Sequence, residues 1–150
     1  MTESALREAA ETVAAAIREL AKDIPGDVTC LVEDRGDVIF ETQRAIAKAG
    51  VVVVVAVDRF ARRANSGPLL TGTLTLDVTA SENLPLNRAQ ADYTTAQAVA
   101  EALAAALHWR AFGGRFASPL RLATMEKLYP SEKVTSVALA FEAEYLLGGV

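Results

Sequence analysis

The segment LTGTLTLDVTA, residues 70–80, alternates apolar or small side chains with polar ones along its whole length. Successive side chains of a β-strand point to opposite faces of a sheet, so this period of two predicts a strand with one buried face and one threonine-rich face. The threonine face has two interpretations. It is either the solvent side of an antiparallel sheet, or a surface that lines a ring or docks onto a neighbouring subunit.

The segments before residue 70 predict the partner strand of a hairpin. The run VVVVVAV, residues 51–57, is apolar on both faces, which predicts a central strand covered on both sides. Residues 58–68 are polar and basic and end in Asn65-Ser66-Gly67-Pro68, which predicts a loop or an extended hairpin tip.

Three further segments are predicted to be helical. The first has apolar residues spaced by three and four, and Pro25-Gly26 ends it. The second, Val38–Ala49, has Asp37 as a candidate N-cap and Gly50 as a candidate C′ residue just beyond its end. The third starts at Thr94 and Gln97, which have capping-box spacing. Its predicted buried residues are Ala96, Val99, Leu103, Ala106 and Leu107.

The remaining segments complete an α+β pattern. Residues 27–32 predict a short strand and residues 81–92 a loop, while residues 120–129 and 135–145 predict two strands joined by a tight connection at 130–133. The element order α-β-α-β-β-α-β-β predicts a mixed, mostly antiparallel sheet of about five strands with three helices packed on it. The 150 residues are expected to form a single domain.

Composition excludes several classes of protein. The net charge of −4 argues against a general nucleic-acid binder, and no apolar run approaches the length of a membrane helix. The single cysteine excludes an internal disulfide, and the first residues lack the features of a signal peptide. We therefore expect a cytoplasmic protein that binds neither a membrane nor a specific nucleic-acid sequence.

A search for catalytic chemistry yields no catalytic, cofactor-binding or metal site. His108, the only histidine, is predicted to interact with the last carbonyls of its helix rather than to act as a lone general base. Cys30 is predicted to point into the core. The acidic residues Glu33, Asp34, Asp37 and Glu41 are interpreted as a solvated helix start rather than a cation site.

Two polar groups remain as candidate interface residues. Arg59, Arg62 and Arg63 could contact phosphate or an acidic partner, or simply belong to a solvated loop, and arginine is enriched in protein interfaces. The second group lies ahead of the third helix and contains Glu82, Asn83, Asn87 and Arg88. For these residues, turn chemistry that satisfies nearby backbone groups competes with contact to a partner.

The order of elements resembles that of phage tail terminator, or tail-completion, proteins. The similarity includes the opening amphipathic helix, the long hairpin, the segment Ser81-Glu82-Asn83-Leu84-Pro85-Leu86-Asn87-Arg88 and the alternating last strand at 135–145. The resemblance implies a non-enzymatic, prophage-encoded protein of the host cytoplasm and the virion. It also implies a homo-oligomer, a hexameric ring on the last ring of the tail tube that stops tube growth and joins the head. Its expected partners are tail-tube and head-connector proteins.

Three other functions remain open. The chain could be a ligand-binding or regulatory α+β domain, dimeric through a sheet edge. It could be an enzyme that uses Asp77 and Glu82 with Arg88, which predicts acids with perturbed pKa values in a cleft. It could also be another neck or tail-tube component of a virion, because a fold does not fix a function.

Overall fold

The computed structural model describes residues 4–24, 26–33, 50–65, 67–88 and 94–148. Helix α1 spans Ala5–Ala21, and the Ser4 side chain caps it by accepting a hydrogen bond from the Arg7 N–H. The predicted apolar stripe faces the core through Ala10, Val13 and Ile17. The predicted helix Val38–Ala49 lies outside the described residues.

The sheet has five strands in the order β1-β2-β3-β5-β4. They are β1 (Val28–Val32), β2 (Val51–Arg62), β3 (Leu70–Asn83), β4 (Arg121–Leu128) and β5 (Val134–Gly148). The β1–β2 pair is parallel and the other three pairs are antiparallel. The predicted α+β class and mixed sheet are confirmed, and the predicted element order is matched where the structure describes it.

The β2–β3 hairpin is longer than predicted. Strand β2 continues past Val57 to Arg62, with a bulge between Val57 and Arg59, so residues 58–62 are strand, and the extended hairpin tip is the predicted alternative that fits. Antiparallel pairing with residues 72–75 holds these polar residues in the sheet although their side chains are exposed or half-buried. The predicted threonine face of β3 is confirmed, because every second residue from Gly72 to Ala80 is buried and the residues between them are half-buried.

The predicted loop at residues 81–92 is wrong over its described part. Strand β3 runs to Asn83 and a short helix, α2 (Leu84–Arg88), follows it. Helix α3 spans Ala96–Leu107, and its N-cap is Thr95 rather than Thr94. Four of the five residues predicted to be buried are buried, whereas Ala106 is exposed and Ala100 and Ala104 are buried in addition.

Helices α1 and α3 lie on the same face of the sheet. Helix α1 contacts β1 and β2, and helix α3 contacts mainly β3 and β5. The core between the layers contains Leu74, Leu76, Leu139 and Phe141, all 1% exposed or less. Strand β2, predicted to be central, has a strand on each side of it, and Val51, Val52 and Val53 are all buried.

Candidate interaction surface

The three arginines of the hairpin lie together at one end of the sheet but project in different directions. Arg59 is opposite Thr75 on the open face, the face without α1 and α3, whereas Arg62 is opposite Gly72 on the helix-covered face. Arg59 and Arg62 are exposed. Arg63 follows the strand, and its guanidinium lies 3.2 Å from a carboxylate oxygen of Glu144.

Glu144 joins three strands on the open face. Its Oε1 accepts a hydrogen bond from the Thr73 hydroxyl at 3.2 Å and lies 3.6 Å from the guanidinium of Arg121. The backbone N–H of Glu144 donates to the Ser118 hydroxyl at 2.9 Å. Arg63 therefore belongs to a polar network that connects the hairpin to β5. Sequence reasoning did not distinguish Arg63 from Arg59 and Arg62.

Asp77 lies near the middle of the open face. The pKa of its carboxyl is raised above its usual value, first by desolvation and then by the negative charges of Asp58 and Glu33. Among the described residues, no group of three histidine, cysteine, aspartate or glutamate side chains could hold a metal ion. Asp34, Asp37 and Glu41, which the sequence analysis considered with Glu33, lie outside the described residues.

Glu82 and Asn87 form a buried polar network beneath α3. One carboxylate oxygen of Glu82 accepts the Ala96 N–H at the start of α3, at 3.0 Å, and the other accepts the Asn87 amide at 2.9 Å. The Asn87 side-chain oxygen accepts the Gly50 N–H at 2.5 Å. Glu82 is 3% exposed and Asn87 is fully buried, so both bind their own chain. Glu82 and Asp77 lie on opposite faces of β3, and the structure does not bring them into one cleft.

The other two candidate residues of that segment are Asn83, which is half-buried, and Arg88. The Asn83 side-chain oxygen accepts the Leu86 N–H at 3.3 Å in the first turn of α2, which is the turn chemistry predicted for asparagine here. Arg88 is the last residue of α2.

His108 and Cys30, the two residues considered as catalytic candidates, both lie in structural positions. His108 is the C-cap of α3, and its Nδ1 accepts the Leu122 N–H at 3.0 Å, so the predicted interaction of its ring with the helix carbonyls is wrong. This hydrogen bond of the imidazole instead connects the end of α3 to β4. Cys30 is buried as predicted, and burial raises the pKa of its thiol to about 11.

The edge strand β4 carries an exposed surface that sequence reasoning missed. At its start, Leu120 exchanges backbone hydrogen bonds with Trp109 and Arg110, which cover the outer edge. From residue 123 onward all side chains are exposed, and no backbone group in the described residues bonds to that outer edge. The sequence signal for this surface was the weak alternation of residues 123–128. A strand without a buried face has no clear hydrophobic period.

Large apolar side chains are exposed next to this edge. Trp109 is 65% exposed and Tyr129 71% exposed, and Met125 and Leu128 project from β4 itself. Trp109 has φ of 68°, a left-handed conformation that costs about 1–2 kcal/mol in a residue other than glycine. Its N–H donates to the Leu120 carbonyl at 2.6 Å, so hydrogen bonding holds the backbone while the indole projects from the surface.

No protein-family model matches this chain, and no curated protein matches it either. No helix in the described part of the chain is both long enough and apolar enough to cross a membrane.

Proposed function

We propose that this chain is a structural, non-catalytic subunit of a phage or prophage tail that assembles into a ring of the tail-terminator type. The observation that carries the proposal is the presence of two separate strand segments, residues 57–62 of β2 and 123–128 of β4, whose outer edges have no backbone partner among the described residues and lie on opposite sides of one sheet. A closed ring of identical subunits needs two different surfaces on each subunit, one for each neighbour. The tail-specific part of the proposal rests on the resemblance in element order.

The arrangement of polar groups supports an assembly role. Glu82 and Asn87 are used inside the chain, whereas Arg59 and Arg62 are exposed at the end of the hairpin. Exposed arginines at a strand end suit contacts with the acidic surface of a neighbouring subunit or of a tail-tube or head-connector protein. Such a subunit would work in the host cytoplasm and in the assembled virion.

The open edge of β4 also fits a second function, a regulatory or ligand-binding domain that dimerises through its sheet edge. Isologous pairing of two β4 strands would use only this one surface. Such a dimer would leave the edge of β2 exposed. The two functions therefore differ in the number of copies and in whether one or two surfaces are buried.

Two measurements test the proposal. Light scattering gives the absolute mass of the purified chain over a range of protein and salt concentrations, and negative-stain images show the particles in the same fractions. A closed ring of about six copies is expected. A dimer that does not change with concentration would favour the second function. A chain that stays monomeric at every concentration and salt would contradict both.

A further inference from the structure

The exposed part of each open edge is set by what covers the rest of the strand. Where the structure describes the chain, β1 pairs with β2 along residues 51–55, and the backbone bond furthest along that side joins the Glu33 N–H to the Val55 carbonyl. Among the described residues, no backbone group bonds to the outer edge of β2 at 57–62. The open halves, 57–62 of β2 and 123–128 of β4, therefore lie toward opposite ends of the sheet as well as on opposite sides.

The two open halves have complementary side chains in one antiparallel register. Residues directly opposite each other in adjacent strands point to the same face. Arg59 and Glu126 both lie on the open face, and placing them opposite each other forms an ion pair. The same register puts Phe60 opposite Met125 on the helix-covered face and Ala61 opposite Thr124 on the open face.

This register also places the β1-paired half of β2 beyond the end of β4. With Arg59 of one copy at the level of Glu126 of another, Val55 and the residues before it lie past the level of Leu128. Both copies keep the same strand direction and the same helix-covered side, so the contact can repeat from copy to copy.

The proposed register offsets neighbouring copies along the strand direction, and this offset is compatible with a closed ring. Within one chain, Val54 is at the level of Glu126 through the pairs with Thr79 and Ala138. Arg59 pairs with Thr75, four residues from Thr79, so bringing Arg59 to that level shifts the next copy by four residue pairs, roughly 13 Å. Because β4 of one copy is followed directly by β2 of the next, each copy adds four strand spacings, roughly 19 Å. A strand tilt of about 35° reconciles these two lengths, which is within the range found in closed sheets.

We propose that residues 57–62 of β2 in one copy pair antiparallel with residues 123–128 of β4 in the next copy, with Arg59 facing Glu126 and Phe60 facing Met125. This inference rests on the proposed ring and identifies its subunit contact. The partner is a second copy of the chain, because both complementary edges belong to the same sheet. A β4-to-β4 dimer is the competing outcome.

Site-directed cross-linking tests the register. We expect the Ala61→Cys chain mixed with the Thr124→Cys chain to form disulfide-linked pairs under mild oxidation, and neither variant alone to do so. Within one chain these positions lie three strands apart, roughly 14 Å, which is beyond the reach of a disulfide. The native Cys30 is buried, and the parent chain serves as the control for it.

A register control uses Leu128→Cys in place of Thr124→Cys. Leu128 lies on the same face of β4 but four residues away, roughly 13 Å along the strand, and we expect no link to Ala61→Cys. Links formed by the Thr124→Cys chain alone would overturn the proposal in favour of a β4-to-β4 dimer. Rings of about six copies that form no 61–124 link would overturn this contact while leaving the proposed function standing.

A charge exchange provides an independent readout. Arg59→Glu and Glu126→Arg are each expected to lower the assembled fraction several-fold at low salt, because each places like charges opposite each other. The chain with both substitutions is expected to regain assembly. Single and double variants that all assemble as the parent does, or a double variant no better than the single ones, would overturn the register. Circular dichroism of each variant checks that the fold is kept.

Discussion

Among individual residues, Cys30 has the most distinctive environment. Its side chain packs in the core beneath α1, and its backbone carbonyl accepts a hydrogen bond from the Arg18 guanidinium at 3.2 Å. Desolvation is the largest cause of its raised pKa, the charge of Arg18 opposes the shift, and the charge of Glu11 adds to it. The buried thiol is thus poorly suited to act as a nucleophile near neutral pH.

The raised pKa of Cys30 predicts a loss of stability at alkaline pH. The unfolded chain releases the thiol proton near pH 9.0 and the folded chain near pH 11, so the contribution of this group is intact below about pH 9 and is lost as pH rises. Between pH 7 and pH 10 we expect the parent chain to lose about 1 kcal/mol more unfolding free energy than Cys30→Ala loses. Urea denaturation at both pH values measures this, and equal losses in both chains would contradict it.

At the scale of single elements, the sequence predicted where all five strands lie, but not the extension of β2 to Arg62 or the open edge of β4. The strand at Leu70 and helix α1 have one buried face each, and their alternation or three-and-four spacing is visible in the sequence. Residues 58–62 have no such pattern, because their place in the sheet comes from backbone pairing with β3. The exposed half of β4 has only a weak alternation, which indicates a strand without a buried face but does not show that its outer edge is open.

The polar segment after β3 shows the same limit for a site. Sequence chemistry identified asparagines that satisfy nearby backbone groups, and Asn83 does so within its own turn. The bond from Asn87 to Gly50 joins residues 37 positions apart, and no local pattern reports it. The burial of Glu82 likewise depends on where α3 packs after the chain folds.

The asparagine pair predicts unequal effects of the same substitution. Asn87→Ala leaves the Gly50 N–H without its acceptor and one Glu82 oxygen without its donor, so we expect a loss of about 2–3 kcal/mol of unfolding free energy. Asn83→Ala removes one turn bond at a partly exposed site and is expected to cost less than about 1 kcal/mol. Chemical denaturation of both variants measures the difference, and similar losses would show that the buried network contributes little.

At the scale of the whole molecule, the contacts that stabilise the chain are largely separate from the surfaces that remain open. The core lies between the two helices and one face of the sheet, and the buried polar network fixes the start of α3. The exposed side chains of the open halves, such as Arg59 and Glu126, lie outside both, whereas Val57 and Phe60 pack against the core. Substitutions of the exposed side chains should therefore change assembly without changing the stability of the single chain.

The hairpin arginines test this separation. Arg59→Ala with Arg62→Ala removes two exposed charges, and we expect assembly to weaken about tenfold while the melting temperature of the monomer is unchanged. Arg63→Ala breaks the pair with Glu144 and is expected to lower the unfolding free energy by less than about 1 kcal/mol. Lys22→Ala, at the end of α1, is the matched control for loss of an exposed charge. Sedimentation velocity measures assembly and calorimetry measures stability. If the arginine double variant assembles like Lys22→Ala, the arginines lie outside the interface, and if it unfolds at a lower temperature, the edge of β2 contributes to the stability of the fold.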